Sequence, residues 1–152
     1  MDLNFVVFRY QPELSSDKWV PLGVVVECPF EGGTQIGVVC LQAVSIEGSS
    51  ELADAILQDV PAILRKEVES SRARLRPDED FLEVLRAQNP WNFHFTVPKT
   101  ETVETDEIMQ ATMELFYRYV LRGPTLDNGK ASAHKPPKAI KPRRMEAYEV
   151  AV

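Results

Sequence analysis

Three runs of β-prone apolar residues crowd the first 44 positions of this chain, with only short polar turns between them. Residues 3–10 (LNFVVFRY) form the first, 18–28 (KWVPLGVVVEC) the second and 36–44 (IGVVCLQAV) the third. Continuous Val, Ile and Phe over such lengths suit buried strands. Parallel neighbours need a crossover of about a dozen residues or more, which the intervening turns cannot supply. The pattern therefore predicts an antiparallel meander. Pro21 and Gly23 interrupt the second run: a proline removes a ladder donor, and a glycine marks a bulge or a close backbone approach. Gly32-Gly33 provides the turn into the third strand.

Helical signals take over at Gly48. Ser49 and Ser50 are candidate N-caps for a helix opening at Glu51, with Asp54 in its favourable first turn. Pro61 suits the first position of a second helix over 61–75, capped by Asp59 or Val60, with Ile63, Leu64, Val68 and Leu75 inward. A short third helix follows Pro77 on Phe81, Leu82, Val84 and Leu85. WNFHFTV (91–97) then alternates, with Trp91, Phe93, Phe95 and Val97 on one side and His94 on the other, as in a half-buried strand. The stripe Ile108, Thr112, Leu115, Phe116, Tyr119 predicts a last helix, capped near Thr105 and ended by Gly123-Pro124.

The 152 residues are 44% hydrophobic and 26% charged, so a core can form without a disulfide or metal staple. No run reaches the ~18 apolar residues of a membrane span. The N-terminus MDLNFVVFRY has no basic n-region, so a signal peptide is not expected and a cytoplasmic location is. Cys28 and Cys40 lie in apolar runs without metal-ligand spacing and read as small buried hydrophobes, a redox pair being the alternative.

Charge is split along the chain. Residues 1–121 hold 10 Lys+Arg against 20 Asp+Glu, while residues 122–152 hold seven basic and three acidic side chains. An acidic body repels phosphate and argues against nucleic-acid binding by the folded part. From Gly123 the stretch GPTLDNGKASAHKPPKAIKPRR cannot bury enough apolar surface to order itself, which predicts a flexible basic tail over 122–152. The tail ends in the β-prone coda MEAYEVAV, able to add to an exposed sheet edge or fill a groove on a partner. Lys138, Lys141, Arg143, Arg144, Tyr148 and Val150 are the candidate partner-binding residues.

Within the body, Arg9 stands in a run that otherwise reads as buried, where a guanidinium needs a carboxylate. Glu27 on the adjacent strand is the expected partner in a structural ion pair. His94 titrates near neutrality and with Arg9 would serve a small enzyme, but no motif ties it to a nucleophile. Asp78, Glu79, Asp80 and Glu83 sit at a helix start, where acidic residues complement the dipole. No P-loop or G-x-G-x-x-G turn is present, and nothing calls for a cofactor or a metal.

Phe8, Arg9, Tyr10 and Pro12, followed by Leu22, Gly23, Val24 and Val25, resemble the opening of a bacterial domain-of-unknown-function family, number three thousand and thirty-seven. Pro21 stands where that family carries Asn. The stretch FHFTVPKTETVETDEIMQATMELFYRYV is similar to the family's closing strand and helix. The family has no established catalytic residues. Its genes often adjoin kinase-like genes of the high-persistence toxin type, so the resemblance implies a partner-binding or regulatory role.

The expectation is an α+β domain over 1–121: an antiparallel sheet of about four strands, with three or four helices mainly on one face, followed by the tail. The leading function is a cytoplasmic, non-catalytic protein-binding or regulatory subunit, antitoxin-like, acting by occlusion or scaffolding. The partner would be another protein, such as a kinase-like toxin encoded nearby. The alternatives are a nucleic-acid accessory protein using the basic tail and a small enzyme using Arg9 and His94.

Overall fold

A computed structural model describes residues 1–13, 17–46, 50–88, 92–122 and 145–151. Strands β1 (Asp2–Tyr10), β2 (Val20–Phe30) and β3 (Gly33–Leu41) form the expected antiparallel meander. Helices α1 (Glu51–Leu57), α2 (Val60–Arg74) and α3 (Phe81–Arg86) follow, then strands β4 (Phe93–Phe95) and β5 (Lys99–Thr102). Helix α4 (Ile108–Phe116) runs into a wider-wound turn, Tyr117–Leu121, and strand β6 (Met145–Ala151) closes the described chain. The sheet order is β4-β1-β2-β3-β6, with β5 also paired to β1, so the described residues form six strands rather than about four.

The ladder register sorts side chains, because directly opposed residues share a face. Phe5, Val26 and Gly37 lie on one face, and Val6, Val25 and Val38 on the other. Helix α4 crosses the first face over Gly37: a Cβ there would come within 2.1 Å of the Thr112 hydroxyl oxygen. The turn after α4 reaches β1, where Tyr119 packs on Phe5 with ring centroids 4.9 Å apart. Helices α1, α2 and α3 share the opposite face, with Leu57, Leu64, Val68, Leu82 and Leu85 fully buried. Three of the four helices lie on one face, as expected of helices mainly on one face, and α4 covers the other. Coverage of both faces is why β1 to β3 read as unbroken apolar runs rather than alternating ones.

Local signals account for several boundaries. The Ser50 side chain accepts the Ala53 N–H at 3.1 Å, and Asp80 accepts that of Leu82 at 3.2 Å. Pro61 sits in the first turn of α2. The register of β1 against β2 shifts between Phe8 and Arg9, beside Gly23 and Pro21. A Cβ on Gly23 would lie 2.7 Å from that of Cys40, so this glycine marks a close approach.

The strand expected over 91–97 is shorter and broken. Trp91 lies outside the described residues, and pairing stops after Phe95. Thr96 donates its N–H to the Val7 carbonyl at 3.0 Å, and its hydroxyl accepts the Val7 N–H at 2.8 Å. One residue thus fills two ladder positions, and the chain bulges before resuming at Lys99. Val97, expected beside the aromatics, is consequently 58% exposed. Phe8, Phe93 and Phe95 do cluster: Phe8 stacks on Phe93 at 5.1 Å and tilts against Phe95 at 5.0 Å.

Candidate functional site

The tail expected to be flexible over 122–152 ends in a strand. Residues Met145 to Ala151 pair antiparallel with β3, from Leu41↔Met145 to Gln35↔Ala151. The physical reason lies in β3: without β6 its outer N–H and C=O groups would have no ladder partner. The coda therefore adds to the protein's own sheet edge.

Three side chains fix the register. Glu146 opposes Cys40 and pairs with Arg65 of α2. Tyr148 opposes Val38 on the same face, and the Arg65 guanidinium carbon lies over its ring, 5.4 Å from the centroid. On the other face, Gln35 donates to the Glu149 carboxylate at 3.4 Å. The Tyr148 hydroxyl is buried and has no hydrogen-bond partner among the described residues. Burial, with Cys40 and Glu69 nearby, pushes this phenol up despite Arg65. Val150 stands opposite Ile36 in the ladder. Lys138, Lys141, Arg143 and Arg144 lie outside the described residues.

Arg9 and Glu27 do not form the expected ion pair. Glu27 opposes Asn4, whereas Arg9 opposes Pro21, so the two are separated by five residues of β1, roughly 17 Å, and point to opposite faces. Strand adjacency alone had suggested the pair, and register overturns it. Glu27 is buried and hydrogen-bonds the side chain of Asp80, the α3 N-cap. Burial, then the Asp80 charge and that hydrogen bond, push the Glu27 carboxyl up to about 7.

Arg9 instead stacks on Trp19, its guanidinium carbon 4.5 Å from the ring centroid. His94 opposes Arg9 in the β1–β4 ladder and meets the Trp19 ring edge-on at 4.7 Å. Arg9 and His94 are therefore brought together, through a tryptophan that sequence reasoning had not singled out. Burial, then the Arg9 charge, push the His94 imidazole below its usual value.

The cysteines and the acidic stretch make contacts within the fold. Cys40 is fully buried, and burial pushes its thiol up to about 12. Burial also raises Cys28, which opposes Gln35 at the other end of the β2–β3 ladder, so the cysteines are not a bonded pair. In the acidic stretch, Asp80 caps α3, Glu79 accepts the Arg76 N–H at 3.0 Å, and Glu83 pairs with Arg86. No helix among the described residues is long and apolar enough to cross a membrane. No family model, curated protein or solved structure matches the chain.

Proposed function

We propose that this chain is a non-catalytic protein-binding module, a regulatory subunit that occludes or scaffolds a partner through its C-terminal segment. The observation that supports this most is the pairing of β6 with β3. It joins the basic stretch 123–144 to the body at both ends, at Arg122 and at Met145. Lys138, Lys141, Arg143 and Arg144 directly precede that strand in the sequence. Their charge suits an acidic protein surface, and the acidic body repels nucleic acid. The resemblance of residues 8–25 to the domain-of-unknown-function family favours a kinase-like partner and an antitoxin-like role in the cytoplasm.

Affinity capture from the native host tests the reading. The full chain is compared with a full chain carrying Lys138→Ala, Lys141→Ala, Arg143→Ala and Arg144→Ala. A protein partner that resists nuclease and is depleted about tenfold by the four substitutions is the expected result. Equal capture by both forms would move the contact to the folded body. Capture of nucleic acid alone, released by moderate salt, would replace the proposal with the phosphate-binding alternative.

A further inference from the structure

Strand β6 joins the sheet differently from the others. It is the last element described, and it is reached through the 22 residues 123–144. Its fit contains one flaw. The Tyr148 hydroxyl is buried with no hydrogen-bond partner among the described residues, although the ring itself lies under Arg65. A hydroxyl stripped of water without a replacement bond costs free energy that a phenyl ring at the same position does not. The strand that occupies the β3 edge is thus a weaker ligand than that edge can accept.

We propose that the β3 edge is a strand-accepting dock, that β6 occupies it as a resident and exchangeable ligand, and that its competitor is an extended segment of a partner protein. That segment carries an acidic residue, an aromatic residue and an aliphatic residue at alternate positions, matching Glu146, Tyr148 and Val150, with phenylalanine preferred as the aromatic. The inference rests on the protein-binding reading above and names the partner's chemistry. Ladder hydrogen bonds to β3 supply sequence-independent affinity, and the side-chain positions facing α2 supply selection. Arg65 selects the acidic residue and covers the aromatic one, as it does for Glu146 and Tyr148. Ile36, fully buried, stands opposite the aliphatic position.

The tether sets the threshold for exchange. Because β6 belongs to the same chain as β3, it meets its dock at an effective concentration far above that of a dilute free peptide, of order millimolar. A free peptide competes poorly against that. A partner first recruited by the basic stretch raises its own local concentration and competes well.

The test is fluorescence anisotropy with a labelled peptide Glu-Ala-Phe-Glu-Val-Ala, titrated with three full-length chains: wild type, Tyr148→Phe and Tyr148→Asp. Tyr148→Asp replaces the partly buried ring with a charge at the place of its buried hydroxyl and should expel the strand, raising peptide affinity at least about tenfold. Tyr148→Phe should seat β6 more firmly and lower peptide affinity by about tenfold. In the Tyr148→Asp background, Arg65→Ala should lower peptide affinity again. Equal affinity across the three chains, or no binding to any, would overturn the dock. Loss of amide protection in β1 to β3 of Tyr148→Asp would overturn it too, since β6 would then be an integral part of the fold. A captured partner that the peptide fails to release would leave the protein-binding reading standing and sink this inference alone.

Discussion

The guanidinium of Arg65, on α2, lies over the ring of Tyr148, on the last strand, 5.4 Å from its centroid. The same guanidinium pairs with Glu146, two residues away on the same face of β6. One arginine therefore reads two positions of the strand, and Arg65→Ala removes both contacts. Partly exposed cation–aromatic and ion-pair contacts are each worth a fraction of a kcal/mol to about 1 kcal/mol. Hydrogen exchange at residues 145–151 should accelerate several-fold in this variant, while exchange in β1 and β2 stays unchanged.

Glu27 gives the protein a pH dependence of definite sign. Its carboxyl is raised from 4.5 to about 7, so the folded state holds that proton more tightly than the unfolded chain does. Stability from this site is greatest below the unfolded value, falls as pH rises towards about 7, and is flat above it. Glu27→Gln keeps the shape and a donor for Asp80 but carries no titration. Denaturant melts at pH 5 and pH 8 should differ less for the variant, which should be the more stable chain at pH 8.

Gly37 is where the sheet admits α4. Gly37→Ala drives a Cβ to within 2.1 Å of the Thr112 oxygen and 3.1 Å of the Thr112 Cβ. The Thr112 hydroxyl is fixed by donating to the Ile108 carbonyl at 2.6 Å, so the crowding has no easy release. A loss of about 1–3 kcal/mol is expected. Thermal denaturation checks it, with Thr112→Ala in the same chain expected to restore part of the loss.

Cys40 should be chemically inert while the chain is folded. Burial pushes its thiol up to about 12, and reactivity needs the thiolate. Alkylation at pH 8 should modify it only at the rate at which the native structure opens, and rapidly once denaturant is added. Fast modification of the native chain would contradict the packing of β3 against α2.

Much of this arrangement is legible in the sequence because it depends on local pattern. The apolar runs around Val6, Val25 and Val38 specify the meander, and Ser50 and Pro61 mark where α1 and α2 begin. The stripe from Ile108 to Tyr119 specifies α4. Register is a different matter, since strand adjacency does not say which residues face one another. That is why Arg9 meets Trp19 and His94 rather than Glu27. The break at Thr96 depends on a side chain acting in place of a backbone group, which periodicity does not register. The pairing of MEAYEVA with β3 was only one of several uses its β-propensity allowed. What selects it is the open edge of β3 and Arg65, both distant in sequence.

The claim on which the functional account turns is that β6 is seated on β3 yet exchanges independently of the rest. Hydrogen–deuterium exchange of the isolated full-length chain tests it directly. Amides of residues 145–151 should be protected above a free peptide, but exchange at least about tenfold faster than those of β1 and β2. Absence of protection in 145–151, or protection equal to that of β1 and β2, would contradict the account.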